Sequence, residues 1–398
     1  MSKISIEMTS LLTSPGFWDA LQLYVKLHEK MGLVNLKFCP SQKKLGVKVV
    51  SKMATILLQS QTVFVIMHTV FCYVSILVQF TGGREAKDSL VKVGRTFLTF
   101  YFATLASCML ATSIGLSFRQ DIMCNMINAI PSLEDRIAYV CIDSAHHLKR
   151  KKLLELGLLT SLKLIYPIIS IITSVILFFE LDPAISLFSK LHHLTFPAPI
   201  ILFILRLVII NVVAADIIKS TWFMLIICLL GLSVATEGLT RLQSITTQTT
   251  SHKVIRTYRE MFVWMNYINQ EYCNFAIPPL ICFGMGILIL ANYGTIQLYG
   301  ALPAPLYALM PITSLIGLPF VVVVLPQGSM VHVVAIKFKQ RLRWKLRLKY
   351  EQRLFLSLRT IAVNIGPFGK VDKECVVTIF TNLVMYTANL LLSFKYSH

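Results

Sequence analysis

Apolar residues run along this chain in blocks of about twenty, separated by short basic or proline-containing stretches. A helix rises about 1.5 Å per residue, so a block of that length crosses a hydrocarbon core of roughly 30 Å. Seven blocks qualify: 57–80, 96–116, 158–179, 200–239, 277–298, 307–325 and 376–394. The fourth is unusually long and reads either as one tilted, protruding helix or as two spans. Pro326-Gln327-Gly328 is expected to end the sixth, and Gly366-Pro367-Phe368-Gly369 to break the helix before the seventh. Two further stretches have amphipathic spacing. Phe17 to Val25 reads as a helix along the inner leaflet, and Val254 to Phe275 as a charged helix leading into the fifth span. The expected fold class is all-α, a polytopic membrane protein with seven transmembrane helices.

Charge orients the bundle. Lys and Arg total 38 against 19 acidic residues, a net +19 over 398 residues. With the amino terminus in the cytosol, 29 basic residues fall on the cytosolic side and six (Arg84, Lys87, Lys92, Arg95, Lys190, Lys395) on the other. The positive-inside rule therefore predicts a cytosolic amino terminus and an extracellular carboxyl terminus. A G-protein-coupled receptor has the opposite orientation, and Asp135-Arg136-Ile137-Ala138-Tyr139 is read as loop sequence rather than as a receptor signature of that class. Nucleic acid is excluded as a partner because the spans leave no separate basic domain. Met1 to Leu33 carries charges throughout, so the first span is expected to act as an uncleaved signal anchor. The organisation expected is a cytosolic segment 1–52, a six-span ligand-binding bundle 53–336 with a cytosolic extension at 241–276, and a cytosolic anchor helix with the seventh span at 337–398.

Candidate chemistry is sparse. Nine cysteines are scattered singly, with no CxxC, and are expected to be reduced thiols. His146-His147 and His192-His193 lack acidic or cysteine companions at metal spacing, and no phosphate loop, nucleophile elbow or paired intramembrane carboxylates occur. Neither an enzyme, a metal nor a cofactor is expected. Arg206, Asp216 and Lys219 interrupt the fourth block, where ionisable groups are costly and often functional. Asp216 and Lys219 are three apart and able to pair on one helix face. The alternative is a shorter membrane portion with Arg206 at the outer interface. From Lys337 to Lys349 basic residues alternate with apolar ones, which in a strand puts every charge on one face and in a helix distributes them around the axis. Attraction to anionic lipid, or a specific phosphoinositide site, are the two readings. Aromatics cluster near the outer ends of several spans, notably Phe97, Tyr101, Phe178, Tyr293 and Tyr307. They form either an interfacial belt or the lining of an apolar cavity for a small organic ligand.

The most specific signal lies at the carboxyl end. Gly366-Pro367-Phe368-Gly369-Lys370-Val371-Asp372 precedes a span that closes Tyr386-Thr387-Ala388-Asn389-Leu390-Leu391-Leu392-Ser393-Phe394. This resembles, in divergent form, the arthropod odorant and gustatory receptor superfamily, whose seventh span follows a Gly-x-Phe-x-(Val/Ile)-Asp element and ends in Thr-Tyr, five apolar residues and Gln-Phe. Ile255-Arg256-Thr257-Tyr258 through Ile268-Asn269 and the stretch Lys26 to Leu33 are similar to further family elements. The resemblance implies a ligand-gated, nonselective cation channel of the plasma membrane, a homotetramer or a heterotetramer with a co-receptor, opened by a small organic odorant or tastant. It also implies that Leu390 and Phe394 match the hydrophobic gate and Ser393 the pore-lining Gln. Tyr386, Leu390, Ser393 and Phe394 share one helical face, and a ring of Leu and Phe closes a narrow pore by dewetting. An ordinary lipid- or protein-facing stripe has the same spacing. The runner-up reading is an inverted-topology signalling receptor or small-molecule transporter without a central pore.

Overall fold

The computed structural model describes residues 15–81, 90–140, 152–178, 182, 198–244, 251–300, 304–345 and 349–393. Among them seven helices are long and apolar enough to cross a membrane. The expected all-α, seven-span architecture is the one observed.

The amino-terminal segment is folded rather than merely charged. Helix α1 (Pro15–Lys30) buries Phe17, Trp18, Leu21, Tyr24, Val25 and His28 at helical spacing. It packs against the third and fourth spans, so the stripe read as leaflet-facing meets protein. A two-stranded antiparallel hairpin follows, β1 (Leu36–Cys39) with β2 (Lys44–Val47), in the register Leu36↔Val47. Lys43 takes the left-handed conformation at its turn, φ 49°.

Helix α2 (Lys52–Thr81) and α3 (Leu90–Phe118) are the first two spans. Helix α4 (Gln120–Val140) corrects one expectation, because Asp135 to Tyr139 forms its last turns and not a loop. Ile122, Met123, Met126, Ile127, Ile130, Leu133 and Ile137 are buried along one side, and that burial outweighs the internal Pro131. Asn128 ties α4 to the hairpin, donating to the Leu45 carbonyl and accepting from the Leu45 N–H, each at 2.7 Å.

Helix α5 (Lys152–Phe178) is the third span. The fourth block is one uninterrupted helix, α6 (Ala198–Ser244), 47 residues long. At about 1.5 Å per residue it extends roughly 70 Å, more than twice a hydrocarbon core. Its carboxyl half is the centre of the largest core cluster. Helix α7 (Ser251–Ile268) runs through a π turn, Asn269–Cys273, straight into the fifth span, α8 (Asn274–Gln297).

The sixth span brings a second correction. Helix α9 (Leu309–Pro319) passes through a π turn, Phe320–Val324, into α10 (Leu325–Lys345), so Pro326-Gln327-Gly328 ends nothing. Pro326 falls just after the wider π turn, which accommodates both its ring and its missing N–H. The basic stretch is therefore helical as far as Lys345. Phe338 is buried, and Lys339 turns inward to the Leu358 carbonyl and lies 5.7 Å from the Phe355 ring centre. Lys337, Arg341 and Arg343 stay exposed.

Helix α11 (Lys349–Ser357) is followed by an extended segment clamped onto α7. Tyr258 donates to the Arg359 carbonyl at 3.0 Å and accepts from the Ile361 N–H at 3.2 Å. Asn269 donates to the Ala362 carbonyl and accepts from the Asn364 N–H, at 2.9 and 3.0 Å. The Gly-Pro-Phe-Gly cluster is the expected breaker. A Cβ on Gly366, at φ +53°, would sit 2.7 Å from the Asn274 carbonyl oxygen, so this turn needs glycine. The last span is α12 (Lys373–Ser393).

Candidate functional site: a cavity beside the last helix

A cavity of about 480 Å³ opens among the middles of the spans. Leu105, Cys108 and Met109 of α3, Gly157 and Ser161 of α5, and Thr221, Trp222 and Leu225 of α6 form one side. Leu280, Gly284 and Leu288 of α8, Thr313, Gly317, Phe320 and Val321 of the sixth span, and Ile379 of α12 form the other. Its volume is that of a small-molecule site. The few hydroxyls on its wall are already engaged by their own helices: Ser161 donates to the Gly157 carbonyl, Thr221 to Ile217 and Thr313 to Leu309, at 2.7–2.8 Å. What remains for an occupant is an apolar, sulfur- and aromatic-containing surface. A smaller cavity, about 90 Å³, adjoins it toward α4 and α7, sharing Leu280, Phe320 and Val324.

The cavity reaches the last helix directly. Ile379 and Leu383 of α12 are buried against Leu288 of α8 and against Val321 and Leu325 of the sixth span. Leu288, Val321, Leu325 and Ile379 also line the cavity, so its wall and the seat of α12 are the same side chains. The rest of α12 is open, with Val377, Phe380, Val384, Met385 and Leu392 exposed. Tyr386 is 49% exposed, Leu390 half-buried and Ser393 exposed, and they continue the helical line of Ile379 and Leu383 beyond the point where it leaves its seat. Phe394 lies outside the described residues, as do Phe179 and both histidine pairs.

The five aromatics read as ligand-binding are not gathered into one wall. Tyr101 is buried and shares a hydrogen bond with the cavity-lining Thr313, whereas Phe97 packs one turn away against Met310. Phe178 is 79% exposed. Tyr307 donates to the Thr295 carbonyl at 2.9 Å and meets Tyr299 edge-on, closing the turn between α8 and α9. Tyr293 is half-buried on α8. None of the five lines the cavity. Its walls are Leu, Met, Gly and Thr from span centres, residue types whose pattern is that of any transmembrane core.

The ionisable residues of α6 are all partnered. Arg206 donates through Nε to Asp182 at 3.0 Å. Asp216 and Lys219 lie 2.6 Å apart with side chains 2% and 0% exposed. Ser113 of α3 donates to Asp216 at 2.7 Å, and Thr62 of α2 bridges Ser113 and Ser117. Tyr24 of α1 donates to the Lys219 carbonyl at 3.0 Å. A chain of polar contacts thus crosses four helices inside an apolar bundle. Among the described residues no group of three His, Cys, Asp or Glu side chains is placed to hold a metal.

Neither a family model nor a curated protein sequence matches the chain. A solved structure does: the insect olfactory receptor OR5 from Machilis hrabei, in complex with eugenol, with a TM-score of 0.55 over 94% of this chain and 97% of that one. The chain has the fold of an insect olfactory receptor. Sequence identity is 9%, so what the two share is the course of the backbone.

Proposed function

We propose that this chain is a chemosensory receptor, a subunit of a ligand-gated, nonselective cation channel opened by a small organic odorant or tastant. The observation that carries the reading is the double use of Leu288, Val321, Leu325 and Ile379, which line the cavity and seat α12. A ligand that fills the cavity presses on that seat, and α12 is otherwise free to move. Four copies, of this chain alone or with a co-receptor, bring their α12 helices around one axis in the plasma membrane. Tyr386, Leu390, Ser393 and Phe394 then face the axis. Leucine and phenylalanine rings close it by dewetting, and a small outward shift rewets it. The amino terminus is cytosolic and the carboxyl terminus extracellular, on the charge asymmetry. The ligand is mainly apolar, because the cavity hydroxyls are spent on backbone carbonyls. Eugenol, held by the structural neighbour, is a suitable first probe.

The test is whole-cell recording from cells expressing the chain, alone and with a co-receptor, during application of a panel of small organic molecules. Ligand-evoked cation currents that vanish with Leu390→Arg and Phe394→Arg at unchanged surface expression support the channel. Ligand uptake without conductance supports the pore-free transporter instead.

A further inference from the structure

A third cavity, outside the spans, has a different chemistry. An open cleft of about 720 Å³ lies between α7 and α11. Arg256, Arg259 and Arg359 line it together with His252, and Ile255, Phe262, Leu354 and Leu358 supply an apolar floor. Of the three guanidiniums one is compensated. Arg256 lies 3.3 Å from Glu260, which is shared with Arg136. Among the described residues, neither Arg259 nor Arg359 has a carboxylate within ion-pair distance. The site is also held rigidly, since Tyr258 and Asn269 clamp the segment carrying Arg359 onto α7. Three planar forks line one space, and the two without a carboxylate partner among the described residues leave it a receptor for phosphate groups.

The place of the cavity in the fold chooses the source of the phosphate. Arg259 and Arg256 precede Ile277, where the fifth span becomes continuously apolar, by 18 and 21 residues of helix. At about 1.5 Å per residue that separation is on the order of 25–30 Å. A lipid headgroup does not project that far from the leaflet. We propose that this cavity binds a soluble organic polyphosphate, the phosphates on Arg256, Arg259 and Arg359 and the organic part on the floor around Phe262. The proposal does not depend on the channel reading, because it concerns equilibrium binding and not current.

The experiment is a titration of purified full-length protein with ATP and, separately, inositol hexakisphosphate, beside flotation with vesicles containing 5–10% phosphatidylinositol bisphosphate, on the order of a physiological anionic load. Saturable binding of one soluble probe per chain is expected, at least tenfold weaker in Arg259→Gln and in Arg359→Gln. Arg341→Gln and Arg343→Gln, exposed basic positions on α10 outside the cavity, should leave it unchanged. Elution volume and thermal midpoint are compared for every variant, and Arg259→Lys should restore part of the affinity. Equal weakening in the α10 variants would show a diffuse charge effect and overturn the site. Binding to vesicles with none of either soluble probe would overturn the assignment to solution, and absence of both would overturn the proposal.

Discussion

Removing one charge of the Asp216–Lys219 pair should destabilise the bundle far more than removing both. The partners are 2.6 Å apart and 0–2% exposed, so neither has water to fall back on. Their attraction at an effective dielectric of about 20 is about 6 kcal/mol, before the desolvation that offsets most of it. Asp216→Asn preserves the acceptor for Ser113 yet leaves the Lys219 ammonium buried without a counter-charge, and Lys219→Met strands the carboxylate. Each single substitution is expected to cost roughly 3–5 kcal/mol. Combining Asp216→Asn with Lys219→Met replaces the pair by a neutral one of similar shape, and stability should return to within about 1–2 kcal/mol of the parent. Equilibrium unfolding of the purified protein in mixed micelles, followed by tryptophan fluorescence, measures all four corners of this cycle. Single variants within about 1 kcal/mol of the parent, or a double variant as unstable as the sum of the singles, would refute the reasoning, since the charges would then be hydrated or separately paired.

Three further outcomes follow from other parts of the molecule. A Cβ on Gly284 meets only Cys108 Sγ, at 3.7 Å, so Gly284→Leu should enter the cavity without disturbing the helices; we expect at least a tenfold rise in the concentration of a bulky ligand needed for half-maximal current, with surface expression unchanged. His28 is depressed from 6.5 to about 4, first by burial and then by Lys219, against the bond to the Tyr24 carbonyl that favours its charged form. Between these values only the unfolded chain takes up the proton, so stability is full above about pH 6.5 and falls by on the order of 3 kcal/mol toward pH 4. His28→Gln should flatten that part of the pH–stability curve, and an unchanged slope would contradict the assignment. Tyr258→Phe leaves the Arg359 carbonyl and the Ile361 N–H without their partner and should cost about 1–3 kcal/mol. Hydrogen exchange of residues 359–363 should accelerate accordingly.

The spans were legible because hydropathy is a local property that lipid enforces residue by residue. Features that depend on a distant partner were not. The long apolar block of α6 cannot by itself say whether it turns. It continues as one helix, packed against α1, α3, α4 and α10. Asp182 gave no sign of being the partner of Arg206, since the two are 24 residues apart in the sequence. Pro326 was misread because a proline forbids a regular helix, and a π turn placed before it lifts the prohibition. The 36–47 hairpin was missed because its strands are only four residues long, too short for a clear alternating pattern, and Asn128 of a later helix holds it in place. The cavity was illegible for a similar reason. It is the space left where six spans meet, with Gly157, Gly284 and Gly317 on its wall, and no residue in it is chemically unusual. The seventh span was recognised by its motif, but that it is seated on one side and open elsewhere is a property of its neighbours.

Electron microscopy of the purified protein, alone and with a co-receptor, tests the central claim most directly. The account predicts four copies around one axis, with α12 innermost and Leu390 turned toward the centre. Isolated single copies, or assemblies in which α12 faces lipid at the perimeter, would contradict it.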